Sequence, residues 1–259
     1  MTCLPAKLAG AIERRRLLGS CVAGTGLTLL GLAGARAQAQ APLRLARIEN
    51  IPDQAVGAAI LEIIYRRLDL AVEFVDMPAK RALAESSQGR VDGEVQRVLD
   101  VGREYPSLLA VQPAINYIEP AVFVKRVDFP VTGWNSLAPF SIGIVRGVGS
   151  SERGTRGMAR VEAVTSIDQL MEILANDRID VAVSDRFSGL LVVKRRHLET
   201  KIRTLAPVLE HIPLYHFLNE RHRELVPRVG RIIQAMAASG ELERLREEVT
   251  TRMISASES

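Results

Sequence analysis

The sequence predicts an α/β fold in two lobes, and three observations carry that prediction. Short runs rich in β-branched residues alternate with windows of helical periodicity. The pattern is less regular between the strands at 93–96 and 121–125 and restarts at 140. Two consecutive amphipathic helices then close the chain. Strands alternating with helices imply a largely parallel sheet in each unit.

The elements follow in order. Residues 43–48 alternate apolar and polar side chains as a strand does. Across 55–68, Val56, Ala59, Ile60, Ile63 and Ile64 recur at helical spacing, with Glu62, Arg66 and Arg67 mostly opposite. A strand at 71–75, a helix at 79–87 and a short strand at 93–96 complete the first run, and 121–125 reads as a further strand. In the second unit, 140–145 is a strand, and Gly147-Val148-Gly149-Ser150-Ser151 is a glycine-rich turn with a helix N-cap signal. A strand at 160–164, a helix opening at Ser166 and running to 176, a buried-type strand at 180–184 and a helix at 187–196 follow. The last strand is 214–218. Helices at 223–238 and 241–253 are separated by Ser239-Gly240, a stop-and-restart signal. These two helices need a partner surface, and the first unit supplies one. The first lobe is then discontinuous, 42–123 with 217–259, and the second lobe is 124–216. The chain crosses near 121–126 and 214–218, leaving a cleft and a hinge between the lobes.

Residues 1–41 have the anatomy of a secretory signal peptide. Arg14-Arg15-Arg16-Leu17-Leu18 leads into an uncharged run over 17–35, with small-residue exits at Ala35-Arg36-Ala37 and Ala37-Gln38-Ala39. Five glycines in that run make it a poor membrane anchor. The arginine order also fits a twin-arginine signal, so that route and general secretion both stay open. Leu18-Gly19-Ser20-Cys21 looks like a lipid-attachment box, but the apolar run lies on its wrong side. The whole chain carries a net +4, and residues 1–39, with five basic and one acidic residue, hold all of it. The remainder is balanced at 29 of each, which removes any argument for nucleic acid or an anionic membrane surface. Both cysteines, Cys3 and Cys21, lie in the leader as well. A processed chain has no disulfide, no thiol nucleophile and no thiolate ligand. The expected product is a soluble protein of the periplasm.

The sequence holds no enzyme or metal motif. His197, His211, His216 and His222 lack zinc-site spacing, and there is no nucleophile elbow or P-loop. Gly147-Val148-Gly149 lacks the spacing and ribose acid of a dinucleotide site. No catalytic residue, cofactor or metal is expected.

Several phrases, taken in order, carry a resemblance to a known family: Val72-Glu73-Phe74-Val75, Gly89-Arg90-Val91-Asp92-Gly93-Glu94, Ile142-Gly143-Ile144-Val145-Arg146-Gly147, Arg178-Ile179-Asp180-Val181-Ala182-Val183-Ser184-Asp185 and Ala238-Ser239-Gly240-Glu241-Leu242-Glu243-Arg244-Leu245. With these the chain resembles, from about 43 to 253, the family 3 extracellular solute-binding proteins, the periplasmic receptors of polar amino-acid transport. The resemblance implies a two-lobed periplasmic-binding-protein-like fold with a ligand cleft between lobes. It also implies a monomer that captures a small amino acid-like or carboxylate solute by hinge closure and presents it to an ABC-type permease. Arg97 matches the arginine that grips the ligand carboxylate, a role its planar fork suits; the alternative is a surface arginine at a strand end. The turn at Gly147, with Ser150 and Ser151, matches the loop whose N–H groups cap that carboxylate, or is an ordinary helix start. Asp185 matches the partner of the ligand ammonium, or caps the next helix.

The sequence departs from the family where aromatic side chains usually sandwich the ligand. Glu49-Asn50-Ile51-Pro52 and Met77-Pro78-Ala79 stand there instead. A pocket with Glu49, Arg81, Glu94 and Arg97 is more polar than usual and fits a small polar or zwitterionic ligand. Arg81 is alternatively an i,i+4 partner of Glu85 on an exposed helix. Two other functions fit the same fold: an envelope sensor or adaptor for the same ligand class, and a cyclohexadienyl dehydratase-like enzyme with Glu94 as general acid.

Overall fold

The computed structural model describes residues 41–256. The leader expected over 1–41 therefore lies, except for Ala41, outside the described residues.

The first sheet begins with β1 (Leu43–Ile48), α1 (Pro52–Arg66), β2 (Val72–Met77), α2 (Ala79–Ser87) and β3 (Gly93–Arg97). A short helix α3 (Val101–Glu104) and the small strands β4 (Leu108–Ala110) and β5 (Asn116–Ile118) follow. β1 runs parallel to both β2 and β3, as the alternation of strands and helices requires. Pro52 fills the first helical position of α1, where a missing N–H costs nothing.

The second sheet takes β6 (Pro120–Val124), β7 (Ile142–Val145), β8 (Val161–Val164), β9 (Val181–Asp185) and β10 (Arg203–Leu205), in the order β10-β6-β9-β7-β8. Its helices are α4 (Gly149–Gly154), α5 (Ile167–Ala175) and α6 (Arg186–Arg195). Ser166 caps α5 by accepting from the Gln169 N–H, as the sequence predicts. β6 and β9 read as continuous apolar runs because both faces are covered. Ala121, Phe123 and Ala182 pack toward α5 and α6, while Val122, Val124, Val181 and Val183 pack toward Leu137 and Trp134.

The chain returns to the first sheet with β11 (Ile212–Asn219), antiparallel to β3, β4 and β5. It ends with α7 (Val226–Ala238) and α8 (Glu241–Ala256). Val229, Ile233, Met236 and Val249 of this pair join Val56, Ile60 and Ile64 of α1 in the first core. Among the described residues, no helix is long and apolar enough to cross a membrane.

The sequence expectations pass over the short α3, β4, β5 and β10, and two further details differ. Neither sheet is largely parallel as expected: β11 runs antiparallel to β3, β4 and β5 in the first, and β6 pairs antiparallel with β9 and β10 in the second. The crossing points also move. β6 belongs wholly to the second sheet from Pro120, and β11 belongs to the first from Ile212. The boundaries expected at 123/124 and 216/217 therefore fall inside strands. Apolar patterning locates a strand but says nothing about which sheet hydrogen-bonds it.

Candidate functional site

A cleft of about 450 Å³ opens between the two sheets, and both contribute to its lining. The first sheet and its helices present Glu49, Asp53, Gln96 and Arg97, while the second side presents Gly147, Ser150, Asp185 and Ser188. This is the C-terminal edge of β1, β3, β7 and β9, where ligand sites of open α/β sheets lie.

Arg97 closes β3 and is held from behind. Its Nε donates to Glu94 Oε2 at 2.8 Å and its Nη2 to the Ala79 carbonyl at 3.0 Å, and the side chain is 10% exposed. Glu94 is buried and also accepts from Ser86 Oγ at 2.7 Å. Burial raises the Glu94 pKa, while Arg97 and Ser86 pull it down. Glu94 therefore aims Arg97 and does not line the cleft, which corrects its expected place in the pocket. β3 has a second brace from β11. The ladder between them is irregular between Tyr215 and Phe217, and the intervening His216 is fully buried. His216 Nδ1 lies 2.7 Å from the Glu94 carbonyl and Nε2 lies 2.8 Å from Tyr65 Oη. A carbonyl only accepts, so Nδ1 carries the proton and Nε2 accepts from the tyrosine. Burial pushes the His216 pKa down to about 4, so the ring is neutral.

Asp185 is where β9 meets α6, and it has two backbone partners. It accepts from the Ser188 N–H at 2.9 Å, capping α6, and from the Glu119 N–H at 3.0 Å. It also lines the cleft, so one side chain both caps α6 and faces the cleft. Gly147 adopts φ of +83°, the left-handed region that glycine enters without strain. Its N–H, however, donates to Glu152 Oε1 at 2.8 Å, and the Val148 N–H goes to the Val145 carbonyl. The N–H groups left over at the start of α4 belong to Gly149, Ser150 and Ser151. Ser150 lines the cleft; Ser151 is buried beneath it and does not. Glu49 lies at the exposed rim. Arg81 does not line the cleft: it sits on the exposed face of α2, where its charge helps hold Glu85 below the usual carboxylate range, after the larger effect of Arg90. That is the helix surface the alternative names, although the ion pair of Glu85 is made with Arg90.

The sequence reading missed a set of buried polar residues on the first-lobe wall. Asp53, in the first turn of α1, is 6% exposed and accepts from Gln96 Nε2 at 2.8 Å. Gln96 Oε1 accepts from Asn116 Nδ2 at 3.2 Å, and Asn116 Oδ1 accepts from Arg246 Nε at 2.9 Å. The Arg246 guanidinium lies 3.7 Å from the centroid of the Tyr117 ring. Gly57 makes room for this network, since a Cβ there would stand 2.3 Å from Gln96 Oε1. An acid directly after Pro52 reads in sequence as a good first-turn residue, and only packing reveals that it is buried. No aromatic side chain lines the cleft among the described residues, in keeping with the sequence. The described residues also contain no cluster of metal-ligating side chains.

No family model matches the chain. An uncharacterized protein of Shewanella oneidensis is 22% identical over 183 residues, 66% of this chain and 67% of that protein. The fold is similar to that of an ancestral arginine-binding protein bound to arginine, with a TM-score of 0.67 at 15% identity over 81% of this chain and 98% of that one. A histidine kinase sensor domain with similarity to periplasmic binding proteins gives 0.66 at 17% identity, covering 81% and 96%. An amino acid ABC transporter substrate-binding protein from Streptococcus pneumoniae bound to L-arginine gives 0.64 at 16% identity, covering 82% and 96%. The chain has the two-lobed, mixed α/β fold of periplasmic binding proteins.

Proposed function

We propose that this chain is a periplasmic solute receptor that captures a small carboxylate-bearing, amino acid-like solute and presents it to an ABC-type permease. One observation carries the reading: Arg97 from the first sheet and Asp185 from the second line the same cleft, one cation and one anion on opposite walls. A desolvated zwitterion needs that complementarity on each charge. Arg97 grips the carboxylate through the donors that Glu94 and Ala79 leave over, with the free N–H groups at Gly149 and Ser150 assisting. A ligand touching both walls stabilises the closed arrangement of the lobes. The leader-like residues 1–41 support export. Two proteins of similar fold, one an ABC transporter substrate-binding protein and one an arginine-binding protein, support the ligand class and the permease.

A second reading has its own support. A sensor domain resembles the fold as well as the transport receptors do, so the closed state is alternatively read by a signalling partner.

The test is a thermal-shift screen against amino acids, amines and small organic acids, followed by calorimetry on the hits. A saturable ligand lost in Arg97→Lys is the expected result; a panel without a single binder defeats the receptor reading. Uptake of that ligand by cells with and without the gene separates transport from sensing.

A further inference from the structure

The two walls of the cleft each carry a carboxylate, Asp53 buried and Asp185 half-buried, and the sequence reading accounts for one. Asp53 faces the cleft from α1 and Asp185 from the cap of α6. Neither is in an ion pair among the described residues. The cation that acts on both is Arg246 of α8, but its Nε is committed to Asn116, its Nη1 lies 3.9 Å from Glu243, and its face is against Tyr117. The two acids therefore share one cation whose own contacts lie elsewhere. Beside them Ser188 Oγ, fully buried and part of the cleft lining, has no hydrogen-bond partner of acceptable geometry, although the Asp185 carboxylate is its neighbour. A buried hydroxyl left unpaired at the cleft wall points to a missing ligand group.

We propose that Asp53 and Asp185, one from each lobe, form a single cation subsite, so that the cleft takes a solute bearing an ammonium or guanidinium group and releases a proton as that group enters. The inference rests on the receptor reading above and adds to it the charge of the ligand and a specificity residue, Asp53.

The proton follows from the surroundings of Asp53. The groups facing it are Gln96 of β3, Asp185 at α6 and Arg246 of α8. Burial and then the Asp185 charge push the Asp53 pKa up to about 8, while Gln96 and Arg246 act weakly the other way. Burial raises Asp185 too, against the N–H bonds from Ser188 and Glu119. The empty pair therefore holds one proton at neutral pH. An entering ammonium or guanidinium replaces it: its N–H groups donate to the two carboxylates, the carboxyl O–H bond breaks, and the proton passes to buffer. A cation held between two lobes also draws them together. A ligand with a carboxylate at this place is repelled.

Three measurements test the proposal. Without ligand, the sign is fixed by linkage: a raised carboxyl pKa stabilises the fold at low pH and loses that contribution as pH rises through about 8. The neutral His216 acts oppositely and only below its ordinary value, so it drops out between pH 6.5 and 8, and the substitution at Asp53 separates that carboxyl from the raised Glu94 and Asp185. Wild-type melting temperature should fall across that window, and Asp53→Asn should melt higher at pH 8 without the slope. A wild-type profile that is flat there and unchanged by the substitution overturns the shared proton. Calorimetry with L-arginine and agmatine in two buffers of different ionisation enthalpy should show close to one proton released per molecule bound. Affinity should rise up to about tenfold per pH unit below the pKa of the pair. In Asp53→Asn, proton release should vanish and affinity should drop at least tenfold. Binding without proton release, or binding by neither probe, overturns the subsite. A panel solute that binds tightly with no cationic group overturns it too, while leaving the receptor reading intact.

Discussion

Arg97 and Glu94 act as one unit, and that changes what removing either does. Viewed as a strand-end arginine alone, Arg97→Ala is expected to weaken ligand binding with little effect on folding. The structure places a buried carboxylate directly behind it, 2.8 Å from its Nε. Truncation then leaves an uncompensated buried charge, so the ligand-free protein should lose about 3 kcal/mol of stability as well as affinity. Glu94 escapes that cost by taking up a proton, which is easier in acid, so the loss should be smaller at pH 5 than at pH 8. Adding Glu94→Gln to Arg97→Ala should recover most of the stability and none of the binding. Urea denaturation of the two variants at both pH values checks this, and equal stability of wild type and Arg97→Ala would dismiss the brace.

At the scale of elements, the junction of β9 and α6 does two tasks through one side chain. Asp185 caps α6 at Ser188, ties the crossing into β6 through the Glu119 N–H, and faces the cleft. Asp185→Asn keeps an acceptor for the cap but drops the charge. Its melting temperature should stay near wild type while affinity for a zwitterion falls by about 1.5 to 3 kcal/mol. Asp185→Ala should lose binding and about 1 kcal/mol or more of stability. Calorimetry and melting curves on both variants separate the tasks; a binding loss confined to the alanine variant would leave Asp185 a cap alone. α6 also anchors across the lobes, since Phe187 packs into the first core with α1 and α8. Movement between the lobes has to carry that contact with it or slide along it.

The whole molecule consists of two sheets exchanged through two short crossings, one before β6 and one before β11, which pair as neighbours at Ile118 and Ile212. Adjacent crossings form a narrow hinge. Saturation with a ligand found in the screen should lower the radius of gyration measured by small-angle scattering, whereas an unchanged radius argues against closure. The exported form should begin between residues 38 and 42, contain no cysteine and be nearly neutral. Intact mass of the envelope fraction checks this, and retention of residues 1–37 would contradict export with cleavage.

The sequence determined the longer elements and their order by itself, because hydrophobic period and capping residues are local signals; the short α3, β4, β5 and β10 carry too little of either. The helix at 79–87 and the cap at Ser166 are found where they are read, and Arg97, Gly147, Ser150 and Asp185 line one cleft. The tertiary structure decided what local pattern cannot express. It assigned β6 and β11 to their sheets, because strand pairing is made between residues distant in sequence. It moved Glu94 from the pocket to the support of Arg97 and left Arg81 on a helix surface, because a side chain's charge does not say which way its strand or helix turns it. It also gathered Asp53, Gln96, Asn116 and Arg246, which span nearly 200 residues of chain, into one buried polar wall. Each of these four is unremarkable in its own segment. Burial first, and then the Asp185 charge, give Asp53 its unusual proton affinity, and both are properties of the folded chain.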